Sequence, residues 1–228
     1  MSRTLAIGDI HGCFRALKAL EEFVEFTPDD QIILLGDYVD RGLDTRGVLD
    51  WIINRRRSLN LITLRGNHEI MMLAARSGPR GLMFWKQVGG DAALMSYSSQ
   101  SGDPTLNDIP VRHWKFLEQD LLPTFETDKH IFVHGSLQPN RNLDEQPEES
   151  LYWTDTDEWT PPHQSGKLII CGHDSQKNGL PAVHPAGICI DTWAHGNGWL
   201  TCLDTNTGTY WQTNERRERR TDTVDIST

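Results

Sequence analysis

The stretch Leu5-Ala6-Ile7-Gly8-Asp9-Ile10-His11-Gly12 sets the reading of the whole chain. An apolar run ends on a glycine, and a carboxylate and an imidazole then stand two positions apart. In an extended segment residues i and i+2 point to the same side, so Asp9 and His11 can face one site from the end of a buried strand. Alone, the pair also fits a turn former beside a polar surface residue. The rest of the chain decides between the two.

The pattern recurs. Gln31–Leu35 is a second apolar run and leads into Gly36-Asp37-Tyr38-Val39-Asp40-Arg41-Gly42; Leu61–Leu64 is a third and leads into Gly66-Asn67-His68-Glu69. Between them, residues 13–26 and 45–57 carry apolar side chains at helical spacing: Ala16, Leu17, Leu20, Phe23 and Val24, then Val48, Leu49, Ile52 and Ile53. Strand, polar loop and helix in repeating order predict a parallel or mixed α/β sheet. Ligands of such sheets bind just beyond the carboxyl ends of the strands, where all three polar loops fall.

Residues 70–121 read as largely helical, broken at Ser77-Gly78-Pro79, at Gly89-Gly90 and in a loop over 98–104, with Trp85, Tyr97, Trp114, Phe116 and Leu117 as packing residues. Short strands are expected over 124–126, 130–134, 167–172, 187–191, 199–204 and 209–212. The polar, proline-bearing stretch 138–166 reads as a surface loop near the site. Residues 214–228 are charged and aperiodic and read as a flexible tail, leaving 1–213 as a single domain.

Hydrophobic residues at 37% and charged residues at 24% of 228 fit a globular chain with a sizeable core. No apolar run approaches the ~18 residues of a membrane span. The first polar motif begins at residue 8, leaving no room for a leader, so cytoplasmic residence is expected. Cys13, Cys171, Cys189 and Cys202 lack paired spacing and read as buried free thiols. A net charge of −10 argues against a nucleic-acid partner held by a broad basic surface. It does not exclude an anionic substrate, because bound metal ions reverse the local sign of a site. The run Arg55-Arg56-Arg57 fits a solvated helix C-terminus.

The polar residues at the strand ends are Asp9, His11, Asp37, Asn67, His68, His134 (in Val133-His134-Gly135) and His173 (in Cys171-Gly172-His173). Oxygen and imidazole donors without thiolates suit Mn²⁺, Fe, Zn²⁺ or Mg²⁺. One carboxylate can bridge two such ions, and Asp37, central among the motifs, is the natural bridge. The ions would acidify a shared water toward neutrality and make it the nucleophile for in-line attack on phosphorus. Rival motifs are absent: there is no P-loop, Met72 stands where H-E-x-x-H needs histidine, and Ser136 is not in a nucleophile elbow.

With GDxHG, GDxVDRG and GNHE intact at 8–12, 36–42 and 66–69, the sequence closely resembles the phosphoprotein phosphatase family of dinuclear metallophosphatases. Phe84-Trp85, Gly89-Gly90-Asp91 and Ser96-Tyr97 are similar to its bacterial and phage serine/threonine phosphatase branch. The resemblance implies a calcineurin-like metallophosphoesterase fold, a four-layer α/β/β/α sandwich with two mixed β-sheets. It implies Asp9, His11 and Asp37 as ligands of one metal and Asp37, Asn67, His134 and His173 as ligands of a second, both divalent, with Mn²⁺ the first expectation. His68, oriented by Asp40, would protonate the leaving group, and Arg41 would bind phosphate oxygens.

The implied substrate is a phosphorylated protein or small phosphoester, with no nucleic acid or membrane partner. The alternative is a symmetrical dinucleoside tetraphosphate or other nucleotide polyphosphate. Hydrolases of that kind typically carry alanine at the position of Asp40 and aspartate at that of Glu69. One departure stands out. Family members usually supply a second phosphate-binding arginine where this chain has Asp155, in Leu151-Tyr152-Trp153-Thr154-Asp155. Arg141 or Arg80 would have to substitute, or phosphate binding would be weaker.

Overall fold

β1 (Thr4–Ile7), β2 (Gln31–Leu34) and β3 (Asn60–Thr63) lie parallel, with Leu5 opposite Ile32 and Ile32 opposite Leu61. The computed structural model describes residues 2–98, 103–157 and 160–226. The loop expected at 98–104 falls largely outside these, as do 158–159 and the last two residues of the tail. A second sheet is built from β4 (Thr124–Glu126), β5 (His130–Val133), β6 (Leu168–Cys171), β7 (Ala182–His184) and β8 (Gly187–Cys189) in the order β4-β5-β6-β8-β7. The chain then returns to the first sheet as β9 (Leu200–Asp204), β10 (Thr209–Thr213) and β11 (Arg219–Thr223), giving the order β11-β10-β9-β1-β2-β3. Each sheet mixes parallel and antiparallel pairs.

Strand alternation assigns the layers. Ala6, Ile33 and Leu203 of the first sheet meet Phe132, Leu168, Ile170 and Ile188 of the second in one buried cluster. Their neighbours Leu5, Ile7, Ile32, Leu34 and Cys202 face the other way. That outer face is covered by α1 (Phe14–Val24), α2 (Thr45–Arg55), α3 (Asn67–Ala74), α4 (Pro79–Trp85), α5 (Asp91–Met95) and α6 (Val111–Gln119), which contribute Leu17, Leu49, Met72, Trp85, Leu94 and Phe116. Ile131, Val133, Ile169 and Cys171 line the second sheet's outer face and pack with Leu151 and Tyr152 of α7 (Glu148–Trp153). The result is the expected α/β/β/α sandwich with two mixed sheets. All four cysteines are buried and free. No helix among the described residues is long and apolar enough to cross a membrane.

Three expectations are corrected. The tail expected from residue 214 contains β11, which pairs with β10 from Thr209↔Thr223 to Thr213↔Arg219. Its polarity concealed it: Arg-Arg-Thr-Asp-Thr forms a charged sheet edge, a composition that discourages pairing with other chains. Side chains rather than an apolar stripe hold it, with Arg220 lying over Trp199 at 4.3 Å and Arg219 bonded to Glu22 at 2.9 Å. β7, three residues long and partly exposed, carries no periodic signal. α7 interrupts the stretch expected to be loop.

The carboxyl ends of β1, β2 and β3 meet those of β5 and β6 at one edge of the sandwich. Approach there is so close that a Cβ on Gly172 would stand 2.1 Å from Asp9 Oδ1, and one on Gly66 2.1 Å from Asp37 Oδ1.

At the start of β1, Arg3 ties the chain to the turn before β2, with Nε donating to Asp30 Oδ1 (2.8 Å) and Nη2 to Oδ2 (2.6 Å). The Arg3 bond, against the cost of burial, holds Asp30 down at about 2. The folded value lies below the unfolded one of ~3.9, so this stabilisation is full above that value and is lost as pH falls toward 2. Asp30→Asn is expected to lower stability at pH 6 by about 1 kcal/mol after solvent screening of the partly exposed Arg3. In urea titrations the gap from the parent should shrink as pH falls; a gap independent of pH would contradict the assignment.

Candidate metal centre

Asp37 stands at the centre of the strand-end residues. One oxygen, Oδ2, lies 3.4 Å from His11 Nε2, and the other, Oδ1, lies 3.4 Å from His134 Nε2. Candidate ligand atoms of His11, Asp37 and His68 fall within 4.8 Å of one another, and so do those of Asp37, His134 and His173. Asp9 Oδ2 is 4.0 Å from His11 Nε2, and Asn67 Oδ1 is 3.0 Å from His134 Nε2. The residues named from the sequence as ligands thus converge at one edge of the sandwich, from five strand ends and both sheets.

Backbone geometry serves this convergence. His11, Asp37, Asp40, Arg41 and His173 all take left-handed conformations (φ 44, 50, 71, 66 and 68°). Each costs of order 1–3 kcal/mol for a residue with a Cβ, and such strain gathers at functional sites. Interlocked loops hold it in place. The amides of Ile10 and His11 donate to Asp37 O (3.1 and 2.8 Å), and Gly42 N donates to His11 O (2.9 Å). Glu69 completes the lock: its carboxylate accepts from the amides of Asp37 (2.9 Å), Tyr38 (2.8 Å) and Gly66 (2.9 Å), tying α3 to the loop after β2. Burial, with Asp37 nearby, raises the Glu69 carboxyl to about 7.

The donor set suits cations. His11 Nδ1 bonds Val39 O (2.9 Å) and His134 Nδ1 bonds Leu35 O (3.0 Å). A ring whose Nδ1–H is committed to a carbonyl presents the Nε2 lone pair, the usual preparation of a metal-binding histidine. Burial pushes His11 well down and His134 down to about 4, so both rings are neutral. Burial and the facing Asp191 and Asp37 raise Asp9 well above the ordinary carboxylate range. Burial opposes the charge of Asp37, yet this carboxyl stays below the ordinary carboxylate range, helped by the protonated His68 nearby and by the His68 amide, which donates to Oδ1 (3.0 Å). Buried carboxylates beside neutral, oriented imidazoles are short of positive charge, and two divalent ions fit that deficit.

His68 behaves differently. Its Nδ1 contacts Asp40 Oδ2 at 2.7 Å, and Trp85 Nε1 donates to both Asp40 oxygens (2.8 and 2.9 Å). Burial works against its charge, yet Asp37 and Asp40 raise His68 above the ordinary imidazole value. Burial lifts Asp40 to about 6. A histidine that holds its proton is suited to donate it rather than to ligate. Trp85, expected only as packing, also fixes this pair.

Two residues escaped the sequence reading. Asp191, just past β8, is buried with Ser175 Oγ at 2.5 Å, and burial raises it to about 6. His195, in the turn before β9, sets its ring 4.8 Å from that of His11 and lies 3.4 Å from Arg41 Nη1. Asp191 does end an apolar run, Ile188-Cys189-Ile190, but without the adjacent glycine that marked the others, and His195 follows no such run. Asp155 lies at the rim, Oδ1 3.7 Å from His173 Nε2, so an acid does stand beside the site where an arginine was expected. Arg141, one of the two arginines expected to substitute, is bonded to Glu145 O within its own loop (3.4 Å).

The fold and this constellation define a calcineurin-like phosphoesterase: that family's sequence model matches residues 2–200, and the chain belongs to it. Among individual proteins, it is 33% identical over 141 residues to the symmetrical bis(5'-nucleosyl)-tetraphosphatase of Salmonella paratyphi B, a match covering 61% of this chain and 45% of that relative. The chain thus spans about half the length of the curated relative it matches. A solved structure provisionally described as a diadenosine tetraphosphatase superposes with a TM-score of 0.65 at 21% identity, covering 89% of this chain and 88% of that one. A Saccharomyces cerevisiae protein serine/threonine phosphatase gives 0.57 at 19% identity, covering 89% and 73%. The two structures support the fold.

Glu69 offers a test of the site's scaffold. Glu69→Gln replaces one acceptor oxygen by a donor facing backbone amides and is expected to weaken divalent-metal affinity roughly 10–100-fold, the usual effect of disturbing groups behind the ligands. Competition with a chelating dye measures it; unchanged affinity would remove Glu69 from the scaffold.

Proposed function

We propose that the chain is a metal-dependent phosphoester hydrolase. The observation that carries this reading is Asp37, whose two oxygens face His11 and His134 at 3.4 Å each. Asp9, His11 and Asp37 would hold one divalent ion, and Asp37, Asn67, His134 and His173 the other. Mn²⁺ is the metal we assign, on a donor set that Fe, Zn²⁺ and Mg²⁺ also suit. Bound there, the ions would supply Lewis acidity and acidify water at the site. The remaining chemistry belongs to the chain. His68 holds a proton through Asp40 and delivers it to the departing oxygen. Trp85 keeps Asp40 from turning away. Arg41, always charged, donates to the phosphoryl oxygens.

For the substrate, the named relatives favour a dinucleoside tetraphosphate, cleaved symmetrically, ahead of a phosphorylated protein. The Asp40–His68 pair favours a second reading, phosphoserine or phosphothreonine. A nucleotide leaving group is already a stable anion, whereas a serine alkoxide needs a proton as it departs.

Mn²⁺-loaded protein is therefore expected to hydrolyse p-nitrophenyl phosphate, and chelation should abolish the activity. His68→Asn should slow a phosphopeptide by roughly 10²–10⁴-fold, the scale of general-acid catalysis, and diadenosine tetraphosphate much less. Full turnover by metal-free protein would overturn the reading. The kcat/KM ratio of the two substrates decides between the substrate classes.

A further inference from the structure

We infer that His195 is a phosphate-binding residue that pairs with Arg41 and takes the place of the arginine missing at Asp155. The inference rests on the hydrolase reading above and on the hydrogen-bond bookkeeping of three side chains.

Arg41 Nη1 lies 3.2 Å from His11 Nε2 and 3.4 Å from His195 Nε2. His11 gives its Nδ1 proton to Val39 O, so its Nε2 carries a lone pair. That lone pair accepts from Arg41 here, but a nitrogen that holds a cation has none left for an N–H, and Arg41 must then find another acceptor. His195 Nε2, at 3.4 Å, can accept only with the ring proton on Nδ1. Its Nδ1 is buried without a hydrogen-bond partner among the described residues. Placing the ring proton on Nδ1 would bury an orphan N–H, an arrangement rare in folded proteins. Placing it on Nε2 leaves only a bare nitrogen inside and turns an N–H toward Arg41. Two donors then converge on one space and require an acceptor between them. An oxyanion at the mouth of the site supplies it.

The turn that carries His195 is built to hold it still. Asp191 Oδ1 accepts from Trp193 N (2.9 Å), Trp193 O accepts from Gly196 N (3.1 Å) and Gly198 N (3.2 Å), and Trp199 N donates to Thr192 O (2.8 Å). Gly196 lies against the Trp193 indole, 2.2 Å from where a Cβ would sit, so no larger residue fits. Trp193 itself takes φ 64°, and its ring packs edge-on to His195 with centroids 6.3 Å apart. Rigid placement of a donor beside a reacting group is what an anion clamp needs. Asp155, whose Oδ1 lies 3.7 Å from His173 Nε2, brings a carboxylate to the rim where an N–H donor was expected.

Titrating orthophosphate calorimetrically into Mn²⁺-loaded parent, His195→Ala and His195→Gln tests this, with bound manganese measured on each. The alanine variant should weaken phosphate binding and raise KM by roughly 10–100-fold, the scale of one charge-assisted hydrogen bond, with manganese content unchanged. Glutamine, which keeps an N–H near the Nε2 position, should recover most of the loss. Equal binding by alanine variant and parent overturns the inference. So does a glutamine variant as weak as alanine, which reduces the ring to packing, and so does manganese loss in either variant, which moves His195 to the metal scaffold. A parent that neither binds phosphate nor hydrolyses any phosphoester overturns the hydrolase reading itself.

Discussion

One carboxylate, that of Asp37, ties the two halves of the sandwich at its working edge. It ends the second strand of the first sheet, yet His134, which faces its Oδ1 at 3.4 Å, ends a strand of the second. Burying an anion between two sheets is costly unless positive charge answers it. The proton held by His68 answers in part, keeping Asp37 ionised, while Asp9 and Asp191 nearby remain unanswered. Much of the local architecture stems from that one placement. The left-handed turns aim side chains at it, Glu69 fixes the peptide that carries it, and Gly66 and Gly172 allow neighbouring backbone to approach.

The division of labour among the histidines also comes from hydrogen bonding rather than from residue type. His11 and His134 commit Nδ1 to backbone carbonyls and so present neutral lone pairs. His68 commits Nδ1 to a carboxylate and so retains a proton. Identical side chains a few ångströms apart, with ring centroids of His11 and His68 separated by 4.7 Å, are thereby suited to opposite tasks.

The loops that carry the candidate ligands were legible in the sequence because each comes after a buried strand and sits beside a glycine, so position along the chain encodes position at the sheet edge. The layers were legible for the same reason, since alternating apolar residues name the face they pack on. Other features depend on partners distant in sequence. β11 is polar throughout and exists through pairing with β10 and the Arg220–Trp199 stack. Trp85 reads as a core aromatic until its indole N–H is seen on Asp40. Asp191 ends an apolar run but lacks an adjacent glycine, and His195 sits in an irregular turn whose spacing predicts no face.

If Asp37 joins two ions, they must sense each other through it. Electron paramagnetic resonance of the Mn²⁺-loaded protein is the most direct measurement. Two ions per chain with an exchange-coupled spectrum are expected, and for Asp37→Asn loss of the coupling or of one ion. A single ion, or two uncoupled ions in the parent, would contradict the bridging role of Asp37.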